Sequence, residues 1–239
     1  MYSDAPNSGS RRAAQTILWH ILRNYVSLLY PIVPFLTTEI WHHIPAALKE
    51  KMGSTSVAEV GWYQPKVEWN NVQLAADFEV LEEIGRCVNA TVELAREARK
   101  IKVALETDVV LHVASESKVM RILYKYKPEL EQMYIVSGLD LAVVGSDEAE
   151  PVVKFGDDRV YQSEINPVQK LPGTWEITAL PYKLTNGEKV TVVVKEARGK
   201  KCVRCWVYHA KEEGGLCARC EEVVIGMIEA GEVKVDEVD

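Results

Sequence analysis

"KKCVRCWVYHAKEEGGLCARC", residues 200–220, sets two Cys-x-x-Cys pairs eleven residues apart. Two residues between thiols let one tight turn aim both sulfurs at the same point, and two such turns complete a tetrahedron. Cys202, Cys205, Cys217 and Cys220 are therefore read as ligands of one structural Zn²⁺, with an iron–sulfur cluster or plain reduced thiols as the alternatives. Four thiolates fill the coordination sphere, so the metal is expected to brace a segment too small for a core of its own and to catalyse nothing.

The residues around these thiols are basic. Within 195–211, Lys195, Arg198, Lys200, Lys201, Arg204 and Lys211 face one acid, Glu196. Part of that charge serves a site carrying four thiolates. The same cations can meet phosphates, although a run of this kind is also what a solvated loop carries. Trp206, directly after the second Cys, is either a packing residue or a platform on which an unpaired base stacks.

Composition frames this module. The 239 residues carry a net charge of −7, with 47% hydrophobic and 26% charged side chains, which suits a chain with a real core. The negative charge is concentrated at the end. Residues 212–239 hold nine acidic residues against Arg219 and Lys234, so the rest is neutral overall and can present a local basic patch. No apolar run is long enough for a membrane span, and the opening residues do not read as an export signal. A cytoplasmic location and no membrane partner are the expectations, and reduced metal-binding cysteines are in keeping with both.

Periodicity divides the chain into a helical block, an α+β segment and the cysteine block. Residues 11–29 read as a helix capped by Ser10 and stopped by Pro31 and Pro34. Its stripe of Ala14, Ile17, Leu18, Ile21, Leu22, Tyr25, Leu28 and Leu29 is expected to pack on a core. A short helix over 35–44 precedes a loop over 52–71. The longest helix covers 74–102, with Glu79, Glu82 and Glu83 among the charged residues expected mostly on its outer side. Strands are expected at 108–113, 133–138, 151–156, 174–180 and 189–197, with a helix at 117–126.

Several stretches resemble class I isoleucyl-tRNA synthetases of bacterial type. They are "SDAPNSGSRRAAQTILWHILRNYVSLLYPIVPFLTTEIW" (3–41), "SVAEVGW" (56–62), "VNATVELAREARKIKVALETDVVLHV" (88–113), "YIVSGLDLAVV" (134–144) and the "GKKCVRCW…CARC" box (199–220). The likeness runs over essentially the whole chain in the family's order. It departs at Thr38, where Glu is usual, at Ala58 for His, and at Val103 and Ala104 in the Gly-Ser-Ser-Leu-Glu-Ala segment.

The resemblance implies three parts. A partial helical anticodon-binding bundle spans 1–106, an α+β connecting domain 107–198, and a four-cysteine zinc-ribbon or zinc-finger module with an acidic tail 199–239. It implies a portion that grips the anticodon stem and loop of isoleucine tRNA. Arg96, Arg99, Lys100, Lys102, Lys200 and Lys201 would contact phosphates, and Trp206 and Arg204 would meet splayed-out bases.

The synthetase's adenylate-forming motifs are not found, and "KMGST" (51–55) reads as a chance likeness to one of them. ATP therefore belongs to the parent enzyme, and this portion is expected to be non-catalytic. Its partner would be the catalytic and editing part of the synthetase. The competing reading is a stand-alone zinc-ribbon module that binds nucleic acid or protein without any role in aminoacylation.

Overall fold

The computed structural model describes residues 3–144, 153–154, 175–179 and 181–231. The chain falls into two compact units, Met1–Asn71 with Val223–Asp239, and Val72–Glu222.

In the first unit, α1 (Gly9–Leu29) is followed by α2 (Pro34–His43) and α3 (Ala46–Met52). The α1 cap is Ser8, two residues earlier than expected, whose hydroxyl accepts from the Arg11 amide at 3.2 Å. Pro34 opens α2, where its missing N–H costs nothing. A small core gathers Val26, Trp41, Ile44 and Val57, with Trp19, Tyr30 and Met52 packed against it. Trp41, the last residue of the 3–41 stretch quoted above, is buried, and its indole N–H donates to the Thr55 carbonyl at 3.1 Å.

The apolar stripe expected to pack against a core does not. Ile17 is 61% exposed, Phe35 is 91% exposed, and Leu18, Ile21, Tyr25, Leu28 and Leu36 are also open. Helix α1 meets its core through the adjoining face of Trp19, Val26 and Tyr30. Periodicity identifies an amphipathic helix correctly but does not say which partner lies on its apolar face. The loop that follows is held by ring contacts. The Tyr63 hydroxyl bonds His20 Nδ1 at 3.0 Å, Trp69 meets His20 edge-on at 4.7 Å, and Arg23 lies over Tyr63 at 5.2 Å.

The second unit is a sheet with helices. Helix α4 (Val72–Glu97) is followed by β1 (Thr107–Ala114), α5 (Lys118–Lys125), α6 (Lys127–Tyr134) and β2 (Gly138–Val144). Then come β3 (Val153–Lys154), β4 (Glu176–Thr178), β5 (Tyr182–Lys183), β6 (Lys189–Glu196) and the start of α7 (Ala218–Glu229), whose residues from Val223 onward count with the first unit. The strand order is β2-β1-β6-β5-β3, with β4 also on β6. β1 and β2 are parallel, joined through α5 and α6, whereas β6 runs antiparallel to β1, β4 and β5.

Valines dominate the centre. Val109 faces Val194, Leu111 faces Val192 and Val113 faces Val190, all at or near complete burial. β-branched side chains on the same face of paired strands pack well across a ladder. Leu81, Ile84, Val88, Val92 and Ala95 of α4 recur at steps of three and four and join that same core. Helix α4 thus packs with the sheet.

Three further sequence expectations are corrected, and one helix is added. Helix α4 ends at Glu97, and Arg99 lies beyond it in the left-handed region at φ 54°, so the helix does not reach 102. Glu83 is not on the solvent side of α4; it is buried and accepts from the Thr185 amide at 2.8 Å. Residues 127–134 form a further helix, so the strand expected at 133–138 begins only at Gly138. Pro128 in its first turn and Ile135 in the left-handed region just after Tyr134 bound that helix. Residues 46–52 form α3, a helix not foreseen in the sequence. Of the strands expected at 151–156 and 174–180, the parts beyond 153–154 and 175–179 lie outside the described residues, as does 232–239 of the acidic tail.

Candidate metal centre and nucleic-acid interface

The two Cys pairs are built differently. In the first, the Trp206 amide donates to the Cys202 carbonyl and the Cys202 amide to the Val207 carbonyl, both at 2.9 Å, closing a tight knuckle. A bridge between Lys200 and Ala210 ties its base. The second pair is not a matching knuckle. Cys217 immediately precedes α7 and its carbonyl accepts from the Glu221 amide at 2.9 Å, while Cys220 lies within the first helical turn. A spacing of three on a helix turns both sulfurs to one side, and the helix N-terminus favours negative charge there.

The four sulfurs lie within 4.8 Å of one another, and Cys205 Sγ is 3.7 Å from Cys217 Sγ. Tetrahedral Zn–S bonds of about 2.3 Å put sulfurs about 3.8 Å apart, so the donor set fits a zinc ion. All five cysteines are free thiols. The fifth, Cys87, stands apart inside the sheet core, and burial pushes its thiol up to about 12, so it is inert.

Amide hydrogen bonds assist the tetrad. Burial raises the Cys202 thiol, but the backbone N–H groups of Cys205, Cys217 and Arg204 outweigh it and bring it down to about 6. Cys205 goes the other way, up to about 12, through burial and then the neighbouring thiols. The Arg204 guanidinium donates to Cys220 Sγ at 3.7 Å, so this cation faces the sulfurs.

Trp206 is the anomaly of the knuckle. Its φ is 66°, a left-handed conformation that glycine adopts freely and that costs other residues about 1 kcal/mol or more. Its ring is nevertheless 63% exposed, with the Lys201 ammonium 5.3 Å from the ring centroid. A large indole in a strained backbone position, pointing largely into solvent, contributes little to packing.

The basic candidates divide between the knuckle and the loop after α4. Lys200 and Lys201 are exposed on the strand entering the knuckle, and Arg96, Arg99, Lys100 and Lys102 are exposed at the end of α4 and beyond. The Arg96 guanidinium pairs with Glu93 and also donates to the Lys102 carbonyl at 3.3 Å. Glu106 then accepts from the Lys102 amide at 2.6 Å and from the Tyr208 hydroxyl at 3.4 Å. Glu106 thereby links the loop after α4 to the segment that leaves the knuckle. Sequence reading missed both Glu106 and Tyr208 as connectors, since neither stands in a charged or aromatic pattern that would reveal a distant partner.

Residues 1–111 match the family described as the anticodon-binding domain of tRNA ligase. Isoleucine–tRNA ligase of Acaryochloris marina is 28% identical over 242 residues, covering 99% of this chain and 22% of that protein. The Thermosynechococcus vestitus isoleucine–tRNA ligase is 30% identical over 233 residues, covering 95% of this chain and 22% of its own length. That of Desulforamulus reducens is 30% identical over 229 residues, covering 94% and 21%. The chain spans about a fifth of the length of these curated relatives. Along nearly its whole length the chain is thus similar to isoleucine–tRNA ligases, and its residues 1–111 match the anticodon-binding domain of tRNA ligase.

Proposed function

We propose that this chain is a tRNA-binding portion of an isoleucine–tRNA ligase and grips the anticodon stem and loop of isoleucine tRNA. In this reading Cys202, Cys205, Cys217 and Cys220 hold one Zn²⁺, which supplies no chemistry beyond fixing the knuckle. Trp206 offers the ring face opposite Lys201 to a splayed anticodon base. Lys200, Lys201, Arg96, Arg99, Lys100 and Lys102 meet phosphates. Arg204 acts mainly on the sulfurs and only secondarily on RNA.

The observation that carries this is the conformation of Trp206. A residue that keeps an unfavourable φ of 66° while leaving most of its ring in solvent is best explained by a ligand that uses the ring. Base stacking on an aromatic side chain contributes about 1–3 kcal/mol, enough to offset that strain.

Isoleucine activation with ATP and transfer to the tRNA 3′ end belong to the remainder of such a ligase. That remainder is the natural partner for the open apolar stripe of α1 and α2, which exposes Ile17, Leu18, Ile21 and Phe35. The partition at 106 and 198 is then one of roles: helical grip, connecting domain and reading module. A cytoplasmic setting goes with this work, and no helix among the described residues is long and apolar enough to cross a membrane.

The test is a binding titration of the chain with isoleucine tRNA and with a tRNA of unrelated anticodon, each over a range of salt. Selective binding of isoleucine tRNA, weakening steeply with salt, is expected. Equal binding to both would favour a general zinc-ribbon nucleic-acid module.

A further inference from the structure

The four-cysteine module does not hang from the sheet by a single linker. Ser137, fully buried immediately before β2, uses every polar atom it has. Its amide donates to the Thr107 carbonyl at 2.9 Å, and its hydroxyl donates to the Leu105 carbonyl at 2.5 Å. That same hydroxyl accepts from the Tyr208 amide at 2.9 Å, and its carbonyl accepts from the His209 ring. Thr107 and Leu105 belong to the sheet side; Tyr208 and His209 belong to the strand leaving the knuckle.

The strand entering the knuckle is tied down as well. The Ala197 amide donates to the Glu106 carbonyl at 2.9 Å. Arg198 reaches Asp108 Oδ2 through Nε at 2.7 Å and Asp140 Oδ2 through Nη2 at 3.1 Å, near the starts of β1 and β2. Between the two strands there is no slack. A Cβ on Gly199 would stand 2.3 Å from the Tyr208 carbonyl oxygen. Trp206 therefore sits on a loop whose two ends are both fastened to the same end of the sheet.

We propose that Ser137, seconded by Arg198, is a positioning residue for RNA reading: it fixes the four-cysteine module against the sheet so that Trp206 is presented from a rigid arm. A module free to swing would present the same indole to RNA, but it would have to be ordered at each encounter, and that ordering weakens binding. The rigid attachment also holds the Lys102 loop, joined to Tyr208 through Glu106, in a constant relation to the ring.

This rests on the reading of Trp206 given above, so the test separates the two. Ser137→Ala is nearly isosteric and strips the Tyr208 amide and Leu105 carbonyl of their partner. In the full zinc-loaded chain it is expected to keep one zinc and to lose about tenfold in affinity for the isoleucine anticodon stem-loop. In a Trp206→Ala background the same change should cost less than about twofold, since the ring it positions is gone. An equal loss in both backgrounds, or none with Trp206 present, overturns the proposal.

Amide residual dipolar couplings supply a readout independent of RNA. In the native chain, residues 200–220 and 107–113 should fit one alignment tensor, and in Ser137→Ala they should need two. A single tensor in the variant also overturns the rigid-arm proposal. If Trp206→Ala alone leaves affinity unchanged, the RNA-reading role fails while the couplings still decide the attachment. Should Ser137→Ala fold poorly, Arg198→Lys, which keeps the charge but not the two-carboxylate reach, carries the same cycle.

Discussion

The Lys201 ammonium lies 5.3 Å from the centroid of the Trp206 ring, so one face of this exposed indole is met by a cation within its own knuckle. The contact is a cation–π attraction worth about 0.5–1 kcal/mol at an exposed site. It leaves the other face as the surface a base can use. The backbone beneath the ring has a φ of 66°. Trp206→Gly should therefore be more stable than Trp206→Ala by about 1 kcal/mol, because only glycine adopts this conformation without strain. Thermal unfolding of the two zinc-loaded variants measures the difference, and a more stable alanine variant would contradict the left-handed assignment.

Metal content is the next expectation. Purification under reducing conditions should give one zinc per chain, and Cys217→Ser should bind it weakly or not at all. Chelation should unfold the 200–220 segment, at a cost on the order of 10 kcal/mol, while the sheet keeps its structure. Zinc analysis paired with amide hydrogen exchange follows both. Metal-free protein with full protection over 200–220 would be the contrary result.

Gly199 is constrained by space rather than by its own φ. Its ideal Cβ would stand 2.3 Å from the Tyr208 carbonyl oxygen and 3.0 Å from the His209 Cα, both backbone atoms that cannot turn aside. Gly199→Ala should cost on the order of 2 kcal/mol or more. Chemical denaturation reads this directly. A loss below about 0.5 kcal/mol would mean that the entering and leaving strands are not held together as described.

Asp77 gives the fold an acid limb. Hydrogen bonds from Lys125 at 2.8 Å, Gln73 at 2.8 Å and Tyr126 at 3.1 Å hold its carboxyl below the ordinary 3.8. A carboxyl with a depressed folded value contributes stability at pH above its unfolded value and loses it as pH falls through the folded one. Asp77→Asn should therefore cost about 1 kcal/mol near neutrality, a modest figure because Lys125 is solvent-screened. That cost should shrink as pH drops below about 4. Denaturation curves taken at several pH values test the sign, and a difference that grows on acidification would reverse it.

The cysteine spacing makes the tetrad legible, since two residues between thiols and a short joining loop leave few other arrangements. The β-branched run of β6 and the T-N-G-E turn before it (185–188) are equally plain, because consecutive β-branched residues and a turn glycine are local signals. What is not legible is non-local. The stripe from Ile17 to Leu29 has the right period for burial, yet period cannot name a partner, and the described structure leaves it open. Helix α6 escapes notice because its "KPELEQMY" is short and polar, and it ends on Ile135, a β-branched residue in the left-handed region that no local rule anticipates. The second Cys pair reads as a turn; the apolar residues at 223–225 and 227–228 that extend α7 lie after it in sequence. Glu106 and Ser137 are ordinary in sequence, and only folding brings them to Tyr208.

In the function proposed above, a zinc-fixed knuckle holds Trp206 for an anticodon base. The most direct test is the affinity of the zinc-loaded chain for the isoleucine anticodon stem-loop, compared between native protein and Trp206→Ala with zinc content measured on the same samples. A loss of about tenfold or more at unchanged zinc is predicted. Equal affinity at equal zinc content would mean that the indole does not meet the RNA.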